Sequence, residues 1–233
     1  MRWRAMMAGF VAVSALAACE RDPLQLSRTF LDTYAGPDPT PAGFHQCHGF
    51  GCAQSTPIRL SPAEWQSVRR EFTPPADDPR TERRQIADAV ALLERLVGAR
   101  TGTIAHQWTR HDLLIWPNDG DPTQLDCVDE AVNTWTYLTM MARDDLLRFH
   151  DVAPLSYAGS MFDFHMRNTA VLRERASGEF FAIDSSLVEA GERPLMMPLT
   201  VWLGDWPPAV ADAADKDALT PSPASTVADN RSP

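Results

Sequence analysis

A cysteine at the start of an amphipathic helix is the residue of this chain best suited to chemistry. Cys127 lies in QLDCVDEAVNTWTYLTMM, residues 124–141, between Asp126 and Asp129. A thiol attacks a carbonyl when its pKa is lowered, a base takes its proton and donors stabilise the oxyanion. The amides of a helix start favour a thiolate, whereas the two acids oppose it. A nucleophilic Cys127 therefore needs a histidine partner. The candidates are His106, His111, His150 and His165.

The N-terminal residues have the pattern of a secretory signal. Residues 1–18 carry two arginines before an apolar run that is too short for a membrane span. LAAC, residues 16–19, resembles the lipobox of bacterial lipoproteins, which implies diacylation of Cys19 and a membrane anchor. Ordinary signal cleavage with an incidental Cys19 is the alternative. By analogy with lipoprotein sorting, Glu20 favours the outer membrane.

Two further cysteines lie close together in the segment HQCHGFGC. In an oxidising compartment, Cys47 and Cys52 form a disulfide across a short, glycine-containing loop. Cys127 is then the odd cysteine, which makes a functional thiol worth testing. His45, Cys47, His48 and Cys52 also contain the ligand types of a zinc site. Because the spacing is not that of a zinc finger, we predict a disulfide, no metal and no other cofactor.

The charge of the chain argues against nucleic-acid binding. The formal net charge is -10, and it becomes -12 without Arg2 and Arg4, with 19 basic residues against 31 acidic ones. A negative overall field does not attract nucleic acid or an anionic bilayer. With 44% hydrophobic residues and seven tryptophans, the chain is long enough for one globular domain.

Three segments carry the signals of helix starts. Residues 61–64 have the Ser-Pro-x-Glu pattern of an N-cap and capping box. A second start lies in the segment DDPRTERR, residues 77–84, and apolar residues then recur at helical spacing from Ile86 to Val97. We expect the Glu and Arg residues of this helix on a solvated face. The Cys127 helix is capped by Asp126. The stretch 103–124 fits neither helix nor strand and is predicted to be a long loop.

Strand patterns follow the third helix. LLRFHDVAPL, residues 146–155, predicts one strand, and residues 168–186 predict a hairpin with a tight turn at Ser177–Gly178. Residues 19–42 predict a tether and an extended arm. The tail 209–233 is too poor in apolar residues to order itself. The folded domain is therefore expected to span residues 43–208.

Three segments together resemble a family of cysteine enzymes. LDCVDEAVNTWTYL, DFHMRNTAVLRE and GEFFAIDSS contain a Cys at a helix start, a His before a strand and an Asp at the end of the next strand. This order is similar to that of the bacterial transglutaminase-like cysteine proteases of the papain superfold, over residues 124–206. The resemblance implies an α+β fold, in which N-terminal helices and a Cys-bearing helix pack on a small antiparallel sheet. By position it implies Cys127 as the nucleophile, His165 as the general base and Asp184 as the residue that orients the imidazole.

The hairpin register bears on the choice of base. A tight turn at Ser177–Gly178 pairs Asp184 with Val171, which leaves His165 six residues further along, about 20 Å at 3.3 Å per residue. His165 reaches the site only if the chain bends back or the hairpin loop is longer. His150, on the preceding strand, is therefore the alternative base. Gln124 is a candidate oxyanion donor, with a local backbone contact as its alternative role.

Two functions follow from these expectations. The first is a lipid-anchored cell-envelope hydrolase or acyltransferase that acts on amide bonds of a protein or peptide through a Cys127–His165–Asp184 triad. The second is a non-catalytic envelope lipoprotein that uses the same fold for binding, with Cys127 inert. Neither function requires a nucleotide or a nucleic-acid partner.

Overall fold

The structure is a computed structural model that describes residues 31, 33–36, 38–105, 121–159 and 167–204. Helices and two small antiparallel sheets give a fold of the α+β class. No helix in these ranges is long and apolar enough to cross a membrane. The elements in chain order are β1 (Phe44–His48), β2 (Gln54–Ile58), α1 (Pro62–Arg70), α2 (Pro79–Thr101), α3 (Cys127–Arg143), β3 (His150–Ala158), β4 (Arg167–Glu174), β5 (Phe180–Asp184), β6 (Leu195–Pro198) and α4 (Leu199–Trp202).

The three predicted helices are present, and two of them begin at their predicted caps, Ser61 and Asp126. The other begins within the predicted segment and is capped by Asp78. Ser61 forms a capping box with Glu64 at the start of α1, and the Asp78 side chain accepts from the Thr81 N–H at the start of α2. Asp126 accepts from two backbone N–H groups at the start of α3. Each side chain satisfies amides that have no partner within the helix, which is why these polar residues fix the starts.

A four-stranded antiparallel sheet in the order β3-β4-β5-β6 supports the helices. The β4–β5 hairpin is the predicted one, but its loop holds the four residues 175–178 instead of two, since the Glu174 N–H donates to the Glu179 carbonyl. Ala170 pairs with Ile183, and continuing this register puts Asp184 opposite Thr169. The predicted two-residue turn and the predicted Val171–Asp184 pair were therefore wrong. Asp184 lies opposite Thr169, two residues along β4 from the predicted partner. The β1–β2 hairpin and β6 had no clear sequence signal.

The two faces of the sheet bury different side chains. Ala170, Leu172, Phe181 and Ile183 pack against the helices in the main core. The opposite face carries a second cluster that includes Ala182, Leu195, Met197 and Trp202. Because neighbouring residues of a strand point to opposite faces, parity along β4 and β5 decides which residues can meet α3.

A buried acid on α2 holds the start of β3. Glu82 is fully buried, and its carboxylate accepts from the N–H groups of Arg148, Phe149 and His150. The Nδ1 atom of His150 lies 2.8 Å from the same carboxylate. Burial raises the pKa of Glu82, but these donors outweigh it and lower the pKa below its ordinary value. The expectation that the charged residues of this helix are solvated was wrong for Glu82, and also for Arg83, which stacks on a phenylalanine ring.

We expect Glu82→Gln to reduce the free energy of unfolding by about 3 kcal/mol, because the amide nitrogen faces donors in a buried site. A lowered pKa means that the charged form stabilises the fold above the unfolded pKa, 4.5, and that this contribution is lost as the pH falls through the folded value. Urea unfolding at pH 7 and pH 4, followed by circular dichroism, measures both effects.

The matched control is Asp151→Asn, which removes an ion pair with Arg175 in which both side chains are about half exposed. Exposed ion pairs contribute little, so the change should stay below about 1 kcal/mol. Equal losses in the two variants would contradict a special role for Glu82.

Candidate functional site

Cys127 is the first residue of α3, at the end of the helix where the backbone amides point outward. Its side chain is half-buried and carries a thiol. The preceding Asp126 and the residue three positions after this cap, Asp129, form a reciprocal capping box. The predicted position of Cys127 in the first helical turn is therefore confirmed.

A disulfide loop lies against this helix start. The sulfurs of Cys47 and Cys52 are at bonding distance, as predicted, and both residues are buried. The four consecutive residues from Gly49 to Cys52 all have positive φ angles, from 56° to 80°. This is the left-handed region, which is costly for Phe50 and Cys52 because both have a Cβ atom. The loop therefore needs strong external contacts.

The two acids beside Cys127 provide those contacts. The Asp129 carboxylate accepts from the N–H groups of Cys52 at 2.7 Å and Phe50 at 2.8 Å, and from the Asp126 N–H at 3.1 Å. Asp126 in turn accepts from the Gly51 N–H at 2.9 Å. Successive N–H groups of a left-handed segment form a concave donor surface, which here is filled by a carboxyl side chain of the same protein. Burial and the Asp126 charge raise the pKa of Asp129 to about 7, while the backbone donors oppose the rise.

The zinc interpretation of this loop is not supported by the contacts. The two sulfurs are joined to each other. The ring of His48 is held by oxygen atoms on both sides, the Pro122 carbonyl and the Thr56 hydroxyl, each at 2.8 Å. Cys47, Cys52 and His48 therefore have other partners.

Asn168 of β4 meets Cys127 across the helix–sheet interface. Its Nδ2 atom lies 3.7 Å from the Cys127 sulfur. Asn168 has the same parity as Ala170 and Leu172, so it belongs to the helix-facing side of the sheet. The position of β4 that a catalytic base would occupy against this thiol is thus held by an amide, which does not take up a proton at ordinary pH.

The surroundings of Cys127 favour the neutral thiol. Burial and the Asp126 charge raise the pKa of this thiol to about 12, with a smaller contribution from the Asp184 charge. The side-chain and backbone amides of Asn168 act in the opposite direction but do not compensate. A helix start usually lowers a cysteine pKa, so burial and the Asp126 charge together reverse the usual effect.

Asp184 lies on the other face of the sheet. Its carboxylate accepts from the Trp202 indole N–H at 2.6 Å and from the Ser186 hydroxyl and N–H. Burial raises the pKa of Asp184, while these donors oppose the rise. Asp184 shares the parity of Ala182 in the Trp202 cluster, whereas Asn168 and Cys127 lie on the helix side. The structure therefore does not bring the Asp184 side chain to the thiol.

The remaining predicted site residues lie in different places. His150 is fully buried beside Glu82 and pairs with Glu174. It lies seven residues along β3 from Tyr157, the residue that pairs with Asn168. At about 3.3 Å per residue this is more than 20 Å, which excludes His150 as the alternative base. The buried Gln124 donates from its side chain to Thr123 at 3.3 Å, a local contact. His165 and Cys19 lie outside the described residues, as do His106 and His111.

Comparisons with known proteins leave the family open. No family model, curated protein or solved structure matches the chain. The resemblance to transglutaminase-like cysteine proteases therefore stays a prediction.

A group of buried acids near the site had no sequence signal. Glu94 of α2 accepts from the Ser185 hydroxyl at 2.6 Å and from the Gly191 N–H at 3.0 Å, and so holds the β5–β6 loop. Glu94 and Glu130 line a narrow cavity with Gln46 and Asn133. Burial raises the pKa of Glu94 to about 7, and burial together with the Glu94 charge raises the pKa of Glu130 well above its ordinary value.

We expect these acids to make the fold less stable as the pH rises. A carboxyl with a raised folded-state pKa binds its proton more tightly when folded, so stability falls between the unfolded and folded pKa values. For Glu94 this window runs from 4.5 to about 7, and for Glu130 it starts at 4.5 and extends higher. Each group contributes a slope of up to about 1.4 kcal/mol per pH unit.

Glu130→Gln should reduce the loss of folding stability with rising pH, because the amide carries no charge at any pH in the window. Chemical unfolding at pH 5, 6, 7 and 8 gives the difference between variant and wild type, which should favour the variant increasingly at high pH. Glu64→Gln is the control, since donors from Arg100 and Ser61 lower the pKa of Glu64 to about 2, outside this range. A difference that does not change with pH for Glu130→Gln would refute the argument.

Proposed function

We propose that this chain is a cell-envelope lipoprotein that binds a peptide amide at the Cys127 end of the sheet without cleaving it. The observation that supports this proposal best is the contact between Asn168 and the Cys127 sulfur. A side-chain amide offers both a donor and an acceptor, as a peptide bond does. Sulfur is a weak acceptor, so a ligand carbonyl competes well for the Asn168 N–H groups.

In this proposal Cys127 is a small, neutral part of the binding surface. The raised pKa of its thiol, about 12, and the position of Asp184 on the opposite face both favour binding over catalysis. Buried cysteines commonly behave as small apolar residues. The acids that flank Cys127 then serve the disulfide loop and the helix cap.

A cysteine hydrolase or acyltransferase is the second candidate. The half-buried thiol at the start of α3 favours it, because the outward amides of a helix start suit an oxyanion. In this case His165 is the base. Water as the acceptor makes the enzyme a peptidase or amidase, and an amine makes it an acyltransferase.

The proposed core is transglutaminase-like. A Cys-bearing helix packed against an antiparallel sheet supports this assignment at the level of architecture. The proposed anchor is diacylated Cys19, in an outer membrane facing the periplasm. The lipobox resemblance supports the anchor, and the Cys47–Cys52 disulfide is typical of proteins from oxidising compartments.

We expect the Cys127 thiol to resist iodoacetamide at pH 6 in the folded protein. With a pKa of about 12, only on the order of one thiol in a million is ionised at that pH. Using the full chain with Cys19→Ser makes Cys127 the only thiol outside the disulfide. Mass spectrometry after timed labelling, with and without urea at higher pH, measures the reactivity.

The variant that separates the two candidate functions is His165→Ala. Rapid labelling at pH 6 that disappears in this variant would replace the binding proposal by the cysteine enzyme. Equal, slow labelling of wild type and variant agrees with the inert thiol. Circular dichroism of both proteins controls for changes in folding.

The lipid anchor has a separate test. Expressed in a bacterial host with two membranes and fed an alkyne-tagged fatty acid, the full chain should carry the label and sediment with the outer membrane. Cys19→Ser should abolish the label, whereas Cys127→Ser should keep it. Labelling that persists in Cys19→Ser would refute the anchor.

A further inference from the structure

An irregularity in β3 changes which face its last residues present. Ala153 pairs with Val171, and Ser156 pairs with Thr169, so two residues of β3 lie opposite the single residue Ala170. This is a β-bulge, in which one extra residue interrupts the alternation of side chains. Beyond the bulge, every residue of β3 points to the face opposite to the one that the earlier register would give it.

Tyr157 is one of the residues that the bulge moves to the other face. In the earlier register it would lie opposite Arg167, whose guanidinium is over the Trp202 ring on the far face. In the observed register it lies directly opposite Asn168. Directly opposed residues share a face, with Cβ atoms about 4.5 to 5.5 Å apart. The bulge therefore moves Tyr157 to the side of the sheet where Asn168 meets Cys127.

Tyr157 is also unusually exposed for an aromatic residue. The residue is 54% accessible, the highest value among the large exposed hydrophobic residues of the described ranges. Aromatic rings favour burial and stack on flat groups, and tyrosine is typical of binding surfaces. An exposed ring beside a half-buried amide and a neutral thiol has the composition of a small recognition site.

We propose that Tyr157 is the specificity-determining residue of this site, and that the ligand is a peptide with an aromatic side chain next to the amide that Asn168 binds. The inference rests on the proposed function, since it assigns the class of peptide that this function takes. Asn168 holds the backbone amide of the ligand, and the Tyr157 ring stacks on its side chain.

Two capped amino acids test this proposal, N-acetyl-phenylalaninamide and N-acetyl-alaninamide. Each is titrated into the ¹⁵N-labelled full chain with Cys19→Ser, and the Asn168 side-chain and Cys127 backbone signals are followed by NMR. We expect both probes to shift these signals, with the aromatic probe binding roughly three- to tenfold more tightly.

Three variants identify the source of that preference. Tyr157→Ala should bring the two probes to equal affinity, and Tyr157→Phe should keep the preference. Phe180→Ala is the matched control, because Phe180 is also exposed but lies at the opposite end of β5 from Asp184. The preference should survive in this control.

The outcomes separate this inference from the function on which it rests. Equal binding of the two probes to wild type, or a preference that survives Tyr157→Ala, overturns the role of Tyr157 while amide binding stands. If the preference for the aromatic probe is lost in Phe180→Ala and in Tyr157→Ala alike, the role of Tyr157 is also overturned. If neither probe shifts the Asn168 signals, the amide-binding site itself fails, and the specificity assignment fails with it.

Discussion

The carboxylate of Asp129 is the contact on which the arrangement around Cys127 depends. It accepts three backbone N–H groups, two from the disulfide loop and one from the cap of α3. The loop has left-handed backbone angles at four consecutive residues, at a cost of roughly 1–2 kcal/mol for each residue with a side chain. Three hydrogen bonds to one buried carboxyl group, each contributing about 0.5 to 1.5 kcal/mol, are enough to offset that cost. The loop and the helix start therefore stabilise each other.

This solution has a chemical consequence for the thiol between the two acids. Carboxylates at a helix start stabilise the helix and satisfy the loop, but their negative charge disfavours a thiolate nearby. The Asp126 charge raises the pKa of Cys127, and burial acts in the same direction. The same residues cannot both anchor the loop and promote ionisation of the neighbouring sulfur. Catalysis at Cys127 would need a cation close enough to overcome both effects.

Local signals in the sequence predicted the local features, whereas features set by distant contacts remained out of reach. Ser61, Asp78 and Asp126 fixed the helix starts because a cap acts within three residues. The hairpin register depended on loop length, and the four-residue loop shifted it by two residues. The burial of Glu82 depended on a partner 68 residues away, His150, and the sequence pattern of α2 carries no trace of that contact. The sequence also carried no signal of the bulge in β3.

Strand parity sets a condition that the predicted triad has to meet. A nucleophile, a base and an orienting carboxylate must converge on one face of the sheet, as close hydrogen-bonded neighbours. Asn168 faces the helix, and Asp184 lies opposite Thr169, the next residue along β4, so the two side chains point to opposite faces. The chain order of Cys, His and Asp carries no information about this alternation. One residue of shift in a strand decides which side chains share a site, and the bulge in β3 provides that shift for Tyr157.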